Sequence, residues 1–435
     1  MLSPKDMAAA AAFILGLLLF LSILRTALFG EVPEEKRLWF EVTFLIFAAI
    51  VAEMLVRYLK QPSVITLLIV GAMLSPSFAG LIWALAYDVL GAIGLGELFF
   101  ATTIHTISSD GAVRVFAQLG AIFLMFEAGL HGKLEDVFNK KNLIVAILGV
   151  LVPFAGGFAY AQLSGGSFAH ALFVGAALTA TSVGVTVAVL MELGAMQKAY
   201  AKTIIGAAVL DDVLALLVLS AIPGLESGAG SDLTFSLVYL LLTSAVFIAG
   251  GIAIGLWATG KFSERKNENT RERWFLACLA GVFFYAFAAE FIGLSAIVGA
   301  YVAGLVMSTA GLSARVLSHS KALSSLFTPM FFISLGLYVD VTTIIPAFWT
   351  IAILCVIAFL TKIIGCGVGA LACGSNPNEA IAIGIGMAPR GEIALIIALL
   401  GLQSGVLTAM DYSVLSAMAF ITTILPPFFM KRLAP

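Results

Sequence analysis

The chain has 435 residues, 61% hydrophobic and only 11% charged, with a formal net charge of -2. A soluble chain of this length needs about twice that share of charge to cover its surface, so the composition is that of a membrane protein. Nothing in the charge balance points to a nucleic-acid partner. Four cysteines (Cys278, Cys355, Cys366, Cys373) lie in or beside apolar runs without C-x-x-C spacing. They read as small buried hydrophobes. The four histidines (His105, His131, His170, His319) are scattered, with no ligand pair at helical spacing. No metal enzyme and no resident cofactor are expected.

A spanning helix needs about 20 apolar residues to cross roughly 30 Å of hydrocarbon. Apolar runs between polar breaks predict spans near 7–29, 38–59, 63–75, 112–131, 142–163, 168–193 and 199–222. They continue at 234–258, 273–291, 294–310, 323–340, 344–372, 378–402 and 407–430, about fourteen in all by the same length rule. The run 63–75 is short and is expected to extend at one end. Segment 78–100 holds Asp88 and Glu97 and reads as an external re-entrant or interfacial piece. The first run is longer than the apolar stretch of a signal peptide and ends in Arg25, so it reads as a retained helix.

Loop charge gives an independent check on this count. With strict alternation, seventeen basic residues fall on one side and Arg25, Lys36, Arg37 and Arg114 on the other, while Lys362 and Arg390 lie inside spans. Positive loops stay cytoplasmic, which predicts a multi-pass protein of the cell (inner) membrane with both termini inside. The longest polar break, Lys261 to Arg273, reads as a solvated cytoplasmic connector.

Two blocks of four spans lie over each other. The first runs through 112–131, 142–163, 168–193 (with LTATSVGVT) and 199–222 (with LDDV); the second through 323–340, 344–372, 378–402 (with MAPRGE) and 407–430. An odd offset between the blocks makes them an inverted-topology repeat, the plan of many secondary transporters, with a site near mid-bilayer where interrupted helices meet. The third span of each block carries the interruption: Thr179, Thr181, Ser182, Gly184 and Thr186 in one, Pro389 and Gly391 around Arg390 and Glu392 in the other. Proline removes a backbone donor and glycine adds freedom, and broken backbone at this depth is tolerated only inside protein or along a cavity. The expected fold is an all-α polytopic bundle with crossed discontinuous helices in an inverted-repeat core, plus a dimerisation domain. Its divisions are an additional N-terminal helix (1–35), dimerisation and scaffold helices (36–110), repeat 1 (111–222), linker and scaffold helices (223–322) and repeat 2 (323–435).

Asp211, Asp212, Lys362 and Arg390 all lie about twelve or more residues into their spans. Each charge at that depth costs roughly 2.5–3.5 kcal/mol on insertion scales, so the four must pair or serve a hydrated site. Neighbours on a helix point about 100° apart, so the two aspartates have different surroundings. Two adjacent carboxylates in low dielectric cannot both stay ionised and uncompensated. One can hold a proton or a cation, but not easily both, and competition of that kind suffices for exchange. Hard monovalent cations want oxygen ligands, which aspartates, threonine hydroxyls and unwound carbonyls supply. A buried salt-bridge network that only orders the bundle accounts for Lys362 and one aspartate and leaves the second unexplained. Glu53, Glu127 and Glu290 also lie in or near spans and carry no assigned role.

The segments QPSVITLLIVGAMLSP (61–76), FLMFEAGL (123–130), LTATSVGVT (178–186), GAAVLDDVLALL (206–217), GLSAIVGAYVAGL (293–305), TKIIGCGVGA (361–370) and MAPRGEIAL (387–395) together resemble the monovalent cation/proton antiporter superfamily, in its branch of Nap, Nha and Kef-type exchangers. The resemblance covers roughly residues 40–430. It implies Na⁺ (or Li⁺) exchange for protons at Asp212 and Asp211, with Asp211 pairing with Lys362. Thr181 and Ser182 would stand at the first crossing, and Arg390 and Glu392 at the second. It also implies an elevator-type motion in a homodimer within membrane lipid. Relatives with both aspartates and the lysine are typically electrogenic, but Pro389 beside Arg390 also occurs among electroneutral relatives. Kef-type K⁺ systems, the alternative, usually carry Gln-Asp and a soluble nucleotide-binding tail; Asp-Asp without such a tail favours Na⁺. The helix at 7–29 precedes the point where such relatives start.

Two other classes fit less well. An intramembrane aspartyl protease needs its aspartates on different helices, one within G-x-G-D, a sequence this chain lacks. A sodium-coupled organic solute symporter shares the interrupted helices but leaves Lys362 opposite adjacent aspartates unexplained.

Overall fold

The computed structural model describes residues 12, 16, 34–59, 62–92, 112–137, 139–227, 230–263, 271–292 and 294–433. The expected span at 7–29 lies outside the described residues, apart from two isolated positions. Every regular element among the described residues is helical. In chain order they are α1 (Glu34–Leu59), α2 (Ser63–Met73), α3 (Pro76–Ala92), α4 (Ala112–His131), α5 (Leu134–Val137), α6 (Lys140–Leu163), α7 (Phe168–Thr179), α8 (Val183–Glu192) and α9 (Ala199–Ser227). Then follow α10 (Gly230–Ser263), α11 (Arg271–Phe291), α12 (Ala296–Thr309), α13 (Ser313–Leu337), a 3-10 turn (Val341–Thr343), α14 (Phe348–Ala372), α15 (Pro377–Gly386), α16 (Glu392–Gln403) and α17 (Ala409–Leu433). The molecule is an all-α polytopic membrane protein. Seven of the described helices are long and apolar enough to cross a bilayer unaided, and the pair Ser63–Met73 and Pro76–Ile82, bent by 58°, is a broken span or a re-entrant loop. The short run at 63–75 thus continues past a bend, where Pro76 cannot extend the helix before it. The segment read as interfacial is helical as far as Ala92, and residues 93–100 lie outside the described ones.

The chain divides into two compact units, one of residues 1–120 and 326–349, the other of 121–325 and 350–435. In the first, α2 and α13 cross at backbone contact: a Cβ on Gly71 would sit 2.9 Å from the Ile333 carbonyl carbon and 3.0 Å from Gly336 Cα. With little hydrophobic drive between helices in lipid, such small-residue crossings let backbones approach and dispersion act. The Ser77 hydroxyl donates to Val339 O (2.8 Å) and accepts from Val341 N (3.1 Å), fixing the start of α3 against the turn after α13.

The second unit contains both interrupted helices, and its two repeats match turn by turn. Each enters its interrupted helix through a left-handed glycine, Gly165 (φ 84°) or Gly374 (φ 83°), followed two residues later by an N-cap, Ser167 or Asn376. The residue after each glycine bonds back five residues, Gly166 N to Ala161 O (2.9 Å) and Ser375 N to Ala370 O (3.0 Å). This is a helix end that glycine adopts without steric cost. Each repeat leaves through a second such glycine, Gly194 (φ 63°) or Gly405 (φ 75°). Register carried on from that second pair brings Thr422 and Thr423 of α17 to the places that Asp211 and Asp212 hold in α9. The acidic pair therefore belongs to one repeat only, and its counterpart is a pair of threonines.

Candidate functional site

The first interruption separates α7 from α8 at Ala180–Ser182, where Ala180 (φ -61°, ψ 141°) and Ser182 (φ -87°, ψ 93°) are extended. The second separates α15 from α16 over Met387–Gly391, and Pro389 removes one amide that a continuous helix would need. The two breaks are tied to each other. Ser182 N donates to Pro389 O (2.8 Å), Thr181 Oγ1 to Met387 O (3.2 Å) and Thr186 Oγ1 to Gly386 O (2.6 Å). Both threonine hydroxyls therefore bond across the repeat, rather than back into their own helix as in an ordinary kinked span. Gly391 leaves room for this: a Cβ there would lie 2.6 Å from Ser182 Oγ.

Cations hold the carbonyl end of α7. Lys362 Nζ, from the middle of α14, donates to Thr179 O (2.7 Å), to Gly149 O of α6 (2.7 Å) and to Asp211 Oδ1 (2.9 Å). An ammonium has three protons, and here each has an acceptor. Arg390 takes the next carbonyl: Nη1 donates to Ala180 O (3.0 Å) and Nη2 to Ala358 O of α14 (3.0 Å). The carbonyl end of a half-helix carries partial negative charge, so both cations sit where the helix dipole favours them. Arg390 Nε has no hydrogen-bond partner among the described residues, and the Arg390 carbonyl accepts from the Thr423 hydroxyl.

The structure brings together Asp211, Lys362, Thr181, Ser182 and Arg390, all buried. Asp212 follows Asp211 on α9 and is only 3% exposed. Glu392 opens α16, and its side chain lies outside the described ones. Of the glutamates without a role, Glu127 is buried while Glu53 and Glu290 are exposed. Several participants went unread in the sequence. Gly149, Ala358, Gly386 and Met387 act through main-chain carbonyls, which have no side-chain mark. Thr423 was discoverable only by aligning AVLDDVL (208–214) with AFITTIL (419–425). Cys366, one turn beyond Lys362, packs into the notch left by Gly149, where a Cβ would be 2.6 Å from its Sγ. All four cysteines are unpaired thiols, three of them buried.

Interlocked broken helices with a lysine–aspartate pair at their crossing define a class of membrane transporter, and comparison with known proteins gives the family. Residues 42–432 match the family "sodium/hydrogen exchanger, transmembrane", and the chain belongs to it. It is similar to the Na(+)/H(+)-K(+) antiporter GerN of Bacillus cereus, 33% identical over 402 residues, covering 91% of this chain and 96% of that one. It also resembles the high-affinity Na(+)/H(+) antiporter NhaS3 of Synechocystis (31% identical, 75% of this chain and 72% of that one). A Na(+)/H(+) antiporter of Enterococcus hirae is 32% identical over 79% of this chain and 90% of its own. Among solved structures, the sodium proton antiporter MjNhaP1 of Methanocaldococcus jannaschii shares the fold, with a TM-score of 0.62 over 92% of this chain and 98% of that one, at 17% identity. The protein is therefore a multi-pass membrane antiporter of a family of transporters rather than enzymes.

Proposed function

We propose that this chain is a secondary active antiporter that exchanges Na⁺ (or Li⁺) for protons, with cation and proton competing at Asp212. One observation carries the assignment: Asp211 is committed to Lys362 at the crossing. Asp212, the next residue on the same helix, is a second buried carboxylate beside that pair, and this reading assigns the transported ion to it. Asp211, Thr181 and Ser182 surround the ion, Lys362 is the salt-bridge partner, and Arg390 and Glu392 shape the second crossing. A carboxylate that accepts either a proton or a hard cation, carried alternately to the two faces, couples the two fluxes without any other chemistry.

In this reading the two repeats (111–222 and 323–435) move as an elevator against scaffold helices drawn from 36–110 and 223–322. The protein works as a homodimer in the cell (inner) membrane with both termini cytoplasmic, an orientation supported by the loop-charge asymmetry. K⁺ is the second reading, as a K⁺/H⁺ antiporter or Kef-type efflux system, and the name of the GerN relative supports it.

The test is proton flux in proteoliposomes under an imposed pH gradient, with Na⁺, Li⁺ or K⁺ added in turn, for wild type and Asp212→Asn. Collapse of the gradient by Na⁺ or Li⁺ in wild type alone supports the assignment. Collapse by K⁺ alone transfers it to the second reading, and pH-coupled Na⁺ transport retained by a folded Asp212→Asn protein overturns the site.

A further inference from the structure

An α-helix satisfies the carbonyl of residue i with the amide of residue i+4, and proline has no amide to give. Pro153 is buried inside α6, so Gly149 O, four residues earlier, lacks the donor that a regular helix would bring. Lys362 Nζ of α14 donates to that carbonyl at 2.7 Å while holding Asp211 Oδ1 at 2.9 Å. A proline ring also presses on the carbonyl of the turn before it and tilts that oxygen out of the helix. The tilt turns Gly149 O toward a neighbouring helix, and glycine puts no side chain in the way.

We infer that Pro153 is a positioning residue for Lys362: by leaving Gly149 O without its helical donor, it supplies the main-chain acceptor that holds the ammonium against Asp211. Its effect on exchange rests on the antiporter reading, while its effect on Lys362 does not.

The register of the two repeats supports this role. Counted back from the left-handed glycines Gly165 and Gly374, Pro153 and Lys362 hold the same position, twelve residues earlier in each repeat. Gly149 and Ala358 correspond in the same way, and each carbonyl accepts from a buried cation: Lys362 Nζ on Gly149 O, Arg390 Nη2 on Ala358 O. The difference lies four residues on. Residue 362 has an amide, so α14 can satisfy Ala358 O itself and the arginine shares it; residue 153 has none, and the lysine takes its place. One repeat thus opens a carbonyl where the other supplies an ammonium. A proline that only bends α6 for packing has no need of the lysine, so the two roles separate once the lysine is removed.

The experiment introduces Pro153→Ala into wild type and into an Asp211→Leu/Lys362→Met background, and melts all four proteins in detergent. Alanine returns the amide at 153, which draws Gly149 O back along α6. In wild type the ammonium loses its aligned acceptor, and the melting temperature should fall by about 3 °C or more. In the uncharged background the same amide satisfies a carbonyl left without a donor, and melting should rise by a similar amount. A fall of equal size in both backgrounds means that the proline only shapes α6, and overturns the inference; so does a wild-type melting temperature that does not move. Should Pro153→Ala fail to fold in wild type, the uncharged pair decides by the sign of its change, a rise supporting the inference and a fall overturning it. In proteoliposomes, Pro153→Ala should lower the maximal rate of Na⁺-driven proton flux about fivefold, the scale of one lost hydrogen bond, with apparent KM for Na⁺ within about twofold. A raised KM at unchanged maximal rate overturns the positioning role. If no cation drives flux in wild type, the antiporter reading has failed, and the melting cycle alone decides Pro153.

Discussion

Lys362 Nζ lies 2.9 Å from Asp211 Oδ1, and neither side chain is exposed at all. The pair joins α9 of the first repeat to α14 of the second, and the same ammonium holds the last carbonyl of α7. Breaking a buried pair on one side leaves a charge that nothing offsets, a loss of about 3–5 kcal/mol, whereas replacing both partners by apolar groups is often neutral. Asp211→Asn should therefore lower the melting temperature of the detergent-purified protein, and Asp211→Leu/Lys362→Met should recover much of the loss. A single variant that melts like wild type would show that the pair contributes nothing to the fold.

Gly149 makes a second test of the same corner. A methyl group there would lie 2.6 Å from Cys366 Sγ, 3.7 Å from Lys362 Nζ and 3.8 Å from Asp211 Oδ1. The only overlap is with the thiol, so Gly149→Ala should destabilise by about 1–3 kcal/mol through overpacking. Adding Cys366→Ala empties the space the methyl needs and should restore most of the melting temperature. If the second substitution makes matters worse, the strain lies in the backbone of α6 and not in the thiol.

How far the sequence discloses this site depends on the atoms that build it. Pro389 and Gly391 mark the second break, because both residues act on the backbone itself. The first break has no such residue between Ala180 and Ser182. Its hydroxyls suggested an interruption, but their acceptors lie about 200 positions away in the chain. Lys362 and Asp211 stand 151 positions apart, and only the resemblance to antiporters coupled them. Helix ends were read less well. α10 runs from Gly230 to Ser263, beyond the expected 234–258, because polar residues at its ends remain helical past the apolar run. The segment with Asp88, which reads as re-entrant or interfacial, is helical from Pro76 to Ala92, and the charge gave no sign of where that helix begins.

Thr186 lies one turn beyond the first break and donates to Gly386 O at 2.6 Å, with both groups buried. Thr186→Val keeps the shape but leaves that carbonyl without its donor, a penalty of about 1–3 kcal/mol for an unsatisfied buried group. The valine variant should melt at lower temperature and the serine variant near wild type. Equal melting of all three would mean that water or a shifted backbone satisfies Gly386 as well as the hydroxyl does.

The start of α17 separates a cap from an ion pair. Asp411 Oδ2 accepts from Thr408 N (2.9 Å) while Asp411 N donates to Thr408 Oγ1 (3.1 Å), a reciprocal capping box. Asp411 Oδ1 also lies 3.5 Å from His170 Nε2, in the first turn of α7, with both side chains partly exposed. Thr408→Ala removes one side of the box and should cost about 1 kcal/mol. A partly exposed pair at that distance contributes about 0–1 kcal/mol, so His170→Ala should cost no more than that. Asp411→Ala loses both interactions, and its cost should approach the sum of the two if cap and pair act independently. A loss well above the sum would mean that Asp411 couples the end of α7 to α17, and that the outer turns of the two repeats are held as one body.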